Sequence, residues 1–175
     1  MNPTEFMNQN AILDLIDGMA GKLETHLLQN KIDDPVIIGI QTGGIWIAER
    51  LHSILEIKQP LATLNISFYR DDFTRIGLNP QVTPSKMPSE IENKHVILVD
   101  DVLQTGRTIR AAMNEIFDFG RPNSITLISL IDREGRELPI EANIIGIKPT
   151  LKENDYITLT GPNPLSLTIM KAKDC

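Results

Sequence analysis

The sequence predicts an α/β fold in which a central, mostly parallel β-sheet is flanked by helices. Short apolar runs alternate along the chain with longer segments whose apolar residues recur every three or four positions, which gives the order strand, helix, strand, helix, strand. The chain has 175 residues, which suits one domain with a sizeable core. Its composition, 41% hydrophobic and 23% charged, is ordinary for a globular protein.

The predicted helices follow from apolar spacing. Over residues 8–29 the apolar positions that share one helical face are Ile12, Ile16, Met19, Leu23 and Leu27. A second helical pattern follows residues 41–44 and continues to Leu55. A third spans residues 107–119, where Gly120 and Pro122 stand in the order that usually ends a helix.

The predicted strands are short apolar runs bounded by polar or turn residues. They cover residues 36–40, 61–68, 96–99 and 124–131, with shorter strands near 144–147, 155–159 and 165–170. Residues 71–89 contain three prolines and show no clear pattern.

Composition limits the function classes. A net charge of −6 argues against a broad nucleic-acid-binding face. The single cysteine, Cys175, excludes an internal disulfide and suits a reducing cytoplasm. Apolar runs are far shorter than the ~20 residues that span a bilayer. The three histidines are scattered without metal-ligand spacing, which favours surface or packing roles.

Two loops follow predicted strands at the edge where parallel sheets bind ligands. QTGG, residues 41–44, follows the strand at 36–40, and DDVLQTGRT, residues 100–108, follows the strand at 96–99. In α/β sheets, ligands bind outside the carboxyl ends of the strands. We therefore expect both loops to line a binding site.

The second loop combines an acidic pair with a phosphate-binding pattern. Asp100 and Asp101 repel each other and lose solvation if buried, so they need water, a metal ion or the hydroxyl groups of a ligand. The following QTGRT offers hydroxyls, a glycine and backbone N–H groups at a helix start, which together suit a phosphate. A sugar phosphate fits both halves. The alternative is a solvated turn before a capped helix, since such short patterns often match by chance.

The stretch VILVDDVLQTGRT, residues 96–108, resembles the phosphoribosyl-diphosphate-binding motif of the type I phosphoribosyltransferases. SFYRDD at 67–72, GRP at 120–122 and DREGRELPIEANIIG at 132–146 resemble, in the same order, the pyrimidine operon attenuator/uracil phosphoribosyltransferase family. The resemblance covers roughly residues 10 to 160.

This resemblance implies both a fold and an activity. The fold is that of a type I phosphoribosyltransferase, with a small base-binding hood and a mobile active-site loop that matches residues 71–89. The implied reaction joins uracil to 5-phosphoribosyl 1-diphosphate (PRPP) and releases UMP and pyrophosphate, with Mg²⁺ as cofactor.

The family's site residues carry over onto matching positions. Asp100 and Asp101 are expected to bind the ribose hydroxyls and, through water or substrate, Mg²⁺. Arg70, in YRDD, is expected to supply charge to the diphosphate. The substrate-binding motif comprises Val96, Ile97, Leu98, Val99, Asp100, Asp101, Val102, Leu103, Gln104, Thr105, Gly106, Arg107 and Thr108.

The pyrophosphate loop departs from the family pattern. The residues that match it are Thr42, Gly43 and Gly44. Better-known members carry Lys-Thr-Arg-Gly here, whereas this chain has Gln41 and Gly43 at the two basic positions. The change predicts weaker diphosphate binding unless Arg70 or Arg107 supplies the charge.

The resemblance also implies how the base is held. Arg133, in DREG, matches a substrate-contacting arginine. Uracil is expected under the segment that contains Ile147, Lys148 and Tyr156, held largely by backbone groups.

Two functions of different classes stay open. One is an enzyme that salvages uracil, and the other is an RNA-binding attenuation regulator that senses UMP with little or no catalysis. RNA binding needs a basic surface, and the basic residues here are spread singly, each near an acid, unless the fold gathers them with Lys94, Lys148 or Lys152. A homodimer is expected, with Ile45, Trp46 and Ile47 as a candidate interface or, alternatively, as core.

Overall fold

The computed structural model describes residues 3–66, 84–152 and 155–171. Along the chain its elements are β1 (Thr4–Met7), α1 (Gln9–Gln29), β2 (Val36–Ile40), α2 (Gly43–Ile54), β3 (Ala62–Leu64), β4 (His95–Leu103), α3 (Arg107–Phe119), β5 (Ser124–Asp132), β6 (Ile144–Ile147), β7 (Asp155–Thr160) and β8 (Ser166–Lys171).

Five strands form a parallel sheet in the order β3-β2-β4-β5-β6. Every residue of β2 is buried, because helices cover both faces of the sheet and the strand is a continuous apolar run. This sheet confirms the predicted α/β class. Since all five strands are parallel, their carboxyl ends lie along one edge.

The two faces of the sheet have separate apolar cores. On one face, Ile16 of α1 and Leu51 of α2 pack with Ile97 and Val99 of β4. On the other face, Ile109 and Ile116 of α3 pack with strand residues that include Leu98. The helices therefore hold β4 at the centre of the molecule.

A second sheet covers the edge of the first core. It is antiparallel, in the order β1-β8-β7, and Ile157 and Leu159 of β7 point into the core that α1 and α2 form. That this sheet forms the expected base-binding hood stays a prediction. Strand β1 was not predicted, because its four residues carry no apolar run and pair with β8 from the far end of the chain.

Strand β4 is longer than predicted. The prediction ended it at Val99, but pairing with β5 continues past Asp100 to Leu103. Ladder hydrogen bonds are made by the backbone, so a long partner strand keeps polar residues in register. The acidic pair therefore belongs to the strand and not to the loop after it.

The segment expected to form the mobile loop is only partly described. Residues 71–83 lie outside the described residues, as do SFYRDD and its Arg70. At the far end, Lys86 exchanges two backbone hydrogen bonds with Thr63 of β3, at 2.8 and 3.0 Å. This bridge ties the end of the segment to the edge strand of the sheet.

The candidate dimer interface is partly core. Ile47 is fully buried between α2 and the sheet, so it is not available to a partner chain. Ile45 is half-buried, and Trp46 is half-buried against the same core. The homodimer stays a prediction. No helix among the described residues is long and apolar enough to cross a membrane.

Two glycines predict opposite effects on stability. Gly18 is exposed in α1 and a Cβ there meets nothing within 4 Å, so Gly18→Ala should stabilise by about 0.5–1 kcal/mol through the helix propensity of alanine. A Cβ on Gly39 of β2 would lie 2.8 Å from Ile45 Cα, so Gly39→Ala should cost about 1–3 kcal/mol. Urea unfolding midpoints test both, and a shift in the same direction for the two variants would contradict this account.

Candidate active site

The two predicted loops meet at the carboxyl edge of the parallel sheet. Strands β2 and β4 are neighbours, so the turn from β2 into α2 lies beside the end of β4. A Cβ on Gly43 would lie 2.4 Å from Asp101 Oδ2, and a Cβ on Gly44 would lie 2.4 Å from the Val99 carbonyl oxygen. The backbone of the QTGG loop is therefore in direct contact with the acidic pair.

The acidic pair is held by backbone donors. Asp100 is buried, with 2% of its surface exposed, and its Oδ1 accepts the Asp101 N–H at 3.0 Å. Asp101 is half-buried, and its Oδ1 accepts the Val102 N–H at 3.0 Å. Its Oδ2 faces Gly43, the first residue of α2, where the helix dipole carries partial positive charge. These contacts explain how two neighbouring carboxylates are tolerated here.

The QTGG loop is shaped by close approach. The Gln41 N–H donates to the Leu64 carbonyl of β3 at 2.9 Å, and the peptide bond between Gln41 and Thr42 is cis. Thr42 is the N-cap of α2, but its side chain makes no capping hydrogen bond. Gly43 and Gly44 are both buried. The loop thus offers the backbone N–H groups of a helix start, with no basic side chain of its own.

The second loop, residues 104–106, leads from β4 into α3. Gly106 has a φ of 89°, a left-handed conformation that glycine adopts readily. The Thr105 hydroxyl oxygen accepts the Arg107 N–H at 3.2 Å, and the Arg110 N–H donates to the Gly106 carbonyl at 3.0 Å. The intervening N–H groups have no acceptor one turn earlier in the helix, as at every helix start. Their direction suits an anion.

Three arginines follow or flank this loop. Arg133 is 8% exposed, and among the described residues its Nε is buried without a hydrogen-bond partner. Arg107 Nε lies 2.6 Å from Glu137 Oε2, and Arg136 Nη2 lies 2.6 Å from Asp132 Oδ1. Arg107, a candidate to replace the missing loop charges, thus lies at the start of α3 in an exposed ion pair, and its role toward the diphosphate stays a prediction.

The phosphoribosyl transferase domain family matches residues 4–158 of this chain. The bifunctional protein PyrR of Pseudomonas fluorescens is 53% identical over 156 residues, which cover 89% of this chain and 93% of the relative. That of Nitrosococcus oceani is 52% identical over 157 residues, which cover 89% of each chain. The chain belongs to the PyrR family of phosphoribosyltransferases. The family predicted from the motif at 96–108 together with the three further stretches is thereby confirmed.

Solved phosphoribosyltransferases share the fold of this PyrR-family chain. The hypoxanthine phosphoribosyltransferase of Trypanosoma cruzi superposes with a TM-score of 0.72 at 17% identity, covering 97% of both chains. A purine phosphoribosyltransferase from Pyrococcus horikoshii gives a TM-score of 0.59 at 26% identity, covering 79% of this chain and 83% of its own. The predicted type I fold is confirmed.

The expected base-binding residues are dispersed in this PyrR-family chain. Tyr156 is 57% exposed and pairs with Met170 across β7 and β8, on the face opposite the buried Ile157. Ile147 ends β6, and the exposed Lys148 borders a cavity next to Arg136.

A different cavity adjoins the loop of residues 104–106. Its volume is about 310 Å³, and its lining is Gln104, Arg133, Glu134, Gly135, Pro149, Leu151 and Lys152. Among the predicted base-contacting residues only Arg133 lines it. The loop after β6 supplies three of the lining residues and belongs to the segment, from Ile147 to Tyr156, under which uracil was predicted. It also follows the carboxyl end of a parallel strand, where ligands bind in α/β sheets.

The acidic pair has the chemistry of a magnesium site of the kind phosphoribosyltransferases use. Among the described residues, no group of three or more His, Cys, Asp or Glu side chains is arranged to hold a metal. Mg²⁺ is commonly bound by one or two carboxylates together with water and substrate phosphates. Two adjacent aspartates beside two anion-suited loops fit that kind of ion.

Proposed function

We propose that this chain is a uracil phosphoribosyltransferase, which forms UMP and pyrophosphate from uracil and PRPP. The observation that carries the proposal is the contact between Asp101 and Gly43. It places the Asp101 carboxylate between the starts of α2 and α3. We assign the diphosphate of PRPP to the first helix start and its 5′-phosphate to the second. Membership in the PyrR family supports the assignment. Uracil as the base rests on the DREGRELPIEANIIG stretch, which resembles the pyrimidine family.

In the proposed site, Asp100 and Asp101 accept hydrogen bonds from the ribose hydroxyls. Their Oδ1 atoms already hold backbone N–H groups at 3.0 Å, which fixes the direction of each carboxylate. Such preorganised acceptors cost no rearrangement when the sugar binds. Mg²⁺, held near these carboxylates through water and the diphosphate, would add positive charge beside the departing pyrophosphate.

The two loops divide the phosphates between them. We assign the 5′-phosphate to the N–H groups and hydroxyls of Thr105 to Thr108, at the start of α3. The diphosphate is assigned to the start of α2, where Thr42, Gly43 and Gly44 present backbone N–H groups. Arg70 keeps its proposed role toward the diphosphate and lies outside the described residues.

The reaction breaks the bond between ribose C1 and the diphosphate oxygen, whose electron pair leaves with pyrophosphate. Uracil N1 then bonds to C1 from the opposite face of the sugar, and the N1 proton passes to water or to the departing pyrophosphate. The protein contributes positioning and electrostatic stabilisation. No described side chain is assigned as a covalent nucleophile or general base.

Arg133 and the cavity beside it are proposed to contact the base side of the nucleotide. A buried guanidinium N–H without an acceptor is costly, so Nε is expected to find one on a ligand or water. The cavity of about 310 Å³ has room for a pyrimidine ring. Its walls from Pro149 to Lys152 come from the loop after β6, which offers backbone groups to the ring edge.

We also propose that the chain regulates pyrimidine genes by binding RNA in response to UMP. The PyrR relatives are called bifunctional, which supports a second activity beside transfer. Several basic residues are already paired: Arg50 with Asp17, and Lys94 with Asp34. An RNA surface would gather such residues, Lys94 among them, with the exposed Lys148 and Lys152. We also place the protein in the cytoplasm. PRPP, UMP and RNA carry phosphate charges and do not cross membranes unaided, so both proposed activities need the compartment where these molecules are made.

Pyrophosphate release tests the proposed reaction. With Mg²⁺ and PRPP, uracil should support turnover at least about a hundredfold faster than guanine, hypoxanthine or orotate, because a hydrogen-bonding pocket rejects bases that leave its polar groups unpaired. A preference for a purine base would overturn the assignment of uracil. If none of the four bases supports turnover, while leader RNA binds tightly and only with UMP, the chain has the regulatory function alone.

A further inference from the structure

Residues 104–106, to which the proposed function assigns part of the 5′-phosphate site, are called the phosphate loop below. Three consecutive backbone carbonyls, those of residues 103–105, accept hydrogen bonds from one segment, residues 133–138. The Leu103 carbonyl accepts the Arg133 N–H at 3.0 Å. The Gln104 carbonyl accepts from Arg136 Nη1. The Thr105 carbonyl accepts the N–H groups of Glu137 and Leu138, each at 3.0 Å. The segment after β5 thus fixes the backbone of the loop after β4, peptide by peptide.

The direction of these carbonyls sets the direction of the neighbouring N–H groups. In a trans peptide, the C=O of one residue and the N–H of the next point to opposite sides. The Gln104 and Thr105 carbonyls point toward residues 136–138, so the N–H groups of Thr105 and Gly106 point away from them. That is the side on which the proposed function places the 5′-phosphate.

We propose that Arg136 is a positioning residue, which aims the phosphate-loop N–H groups at the 5′-phosphate by holding the Gln104 carbonyl. This inference rests on the proposed function for the location of that phosphate. Among the donors described above, Arg136 is the only side chain, since the others are backbone N–H groups. A substitution can therefore remove this one restraint and leave the other three bonds in place.

The guanidinium is suited to orientation and not to direct phosphate binding. Its Nη2 lies 2.6 Å from the carboxylate of Asp132, a residue only 8% exposed, while Nη1 reaches the Gln104 carbonyl. Its charge is therefore compensated within the protein. The planar fork spans two acceptors at once, whereas a lysine ammonium is a compact point charge that does not reproduce this geometry.

Packing against the same segment and the adjoining Ile140 also restrains the loop. A Cβ on Gly106 would lie 3.3 Å from Ile140 Cβ and 3.4 Å from Leu138 Cβ, and one on Gly135 would lie 3.2 Å from Gln104 Nε2. The loop and the segment are thus in contact along their length. Loss of the Arg136 bond would release the Gln104 peptide, while these contacts keep the loop in place.

Two ligands separate a positioning role from a general structural one. Ribose 5-phosphate needs the 5′-phosphate loop, and pyrophosphate with Mg²⁺ needs the QTGG loop. In Arg136→Met we expect ribose 5-phosphate affinity to fall about tenfold, the worth of one charged hydrogen bond, with pyrophosphate affinity unchanged. The KM for PRPP should rise by a similar factor while kcat falls less. Calorimetry and steady-state kinetics measure these quantities.

Arg136→Lys and Arg50→Met complete the test. The lysine keeps a positive charge beside Asp132 but loses the bond to Gln104, so it should show the same selective loss if the methionine variant fails to fold. Arg50 is also ion-paired, with hydrogen bonds of 2.7 and 2.9 Å to Asp17. Arg50→Met should therefore leave the affinity for ribose 5-phosphate and for pyrophosphate unchanged.

Each outcome is decisive. Equal weakening of both ligands, or unchanged ribose 5-phosphate affinity in a folded Arg136→Lys, would refute the positioning role. A selective loss in a protein that does not convert uracil would uphold it and refute the proposed substrate.

Discussion

Replacing the acidic pair with asparagines is expected to abolish transfer. Asp100→Asn and Asp101→Asn should each lower kcat/KM for PRPP by about 10- to 100-fold, since a hydrogen bond to a charged group is worth about 1.5–3 kcal/mol. The double variant should lose about a thousandfold or more, because it also removes the charge that attracts Mg²⁺. Pyrophosphate release at varied PRPP concentration measures both effects. Because asparagine has nearly the same shape as aspartate, the loss of activity reports mainly the loss of negative charge.

A matched control is available on the same molecule. Asp34 is exposed, and the side-chain hydrogen bonds from Gln59 and Lys94 hold the pKa of its carboxyl below the usual value. Asp34→Asn removes another hydrogen-bonded aspartate, one that lies just before β2 at the opposite edge of the sheet, so its turnover should match that of the unsubstituted protein. If folded Asp100→Asn and Asp101→Asn also kept full turnover, the acidic pair would have no role in transfer.

The structure gives a physical reason for the two adjacent aspartates. Each carboxylate accepts the N–H of the residue after it, and Asp101 also faces the first turn of α2. Backbone donors and a helix start offset part of the repulsion between the two carboxylates. Carboxylates held in this way remain suitable acceptors for sugar hydroxyls and for a divalent cation that arrives with a sugar diphosphate.

Local patterns predicted most of the elements because they depend on burial of one face. Helix α3 was predicted at its observed bounds, since its apolar face is regular and Gly120 follows it. Strand β2 was also predicted in full, because all five of its residues are nonpolar and buried, so its ends stand out against the proline and polar residues on either side. Strand β1 and the extension of β4 depend on partner strands remote in sequence, which no local pattern encodes.

The site was predictable where chain connectivity decides it. Loops after β2 and β4 had to meet because neighbouring parallel strands end at one edge. The contact between Arg136 and Gln104 joins residues 32 positions apart and depends on how the β5 loop folds back. Strand alternation, in contrast, decides the exposure of Tyr156. The alternation of β7 puts Ile157 and Leu159 inside, so Tyr156 faces solvent.

Substitution of Gly43 is expected to have the second large effect. In Gly43→Ala the new Cβ would lie 2.4 Å from Asp101 Oδ2 and 2.9 Å from Asp101 Cβ, so the carboxylate must move. Turnover should fall at least about tenfold, since small misplacements of a positioning group are costly. The free energy of unfolding should fall by about 1–3 kcal/mol, as for other overpacked sites. Steady-state kinetics and urea unfolding measure the two quantities.

Gly44→Ala separates the functional effect from a packing effect. Its Cβ would lie 2.4 Å from the Val99 carbonyl, a backbone atom that cannot rotate away, so this variant should lose more stability than Gly43→Ala. At a temperature where both are folded, Gly43→Ala should show the larger loss of turnover per kcal/mol of stability. The reverse order would mean that the glycines serve packing alone.

The same geometry decides what a basic residue at position 43 would do. The Lys-Thr-Arg-Gly pattern that the resemblance implies has arginine at this position, and charge alone would predict that Gly43→Arg improves diphosphate binding. In this chain the arginine's Cβ would meet Asp101 just as alanine's does, so we expect turnover to fall despite the added charge. Turnover that rises in Gly43→Arg would show that Asp101 moves freely and that charge, not close approach, limits this loop.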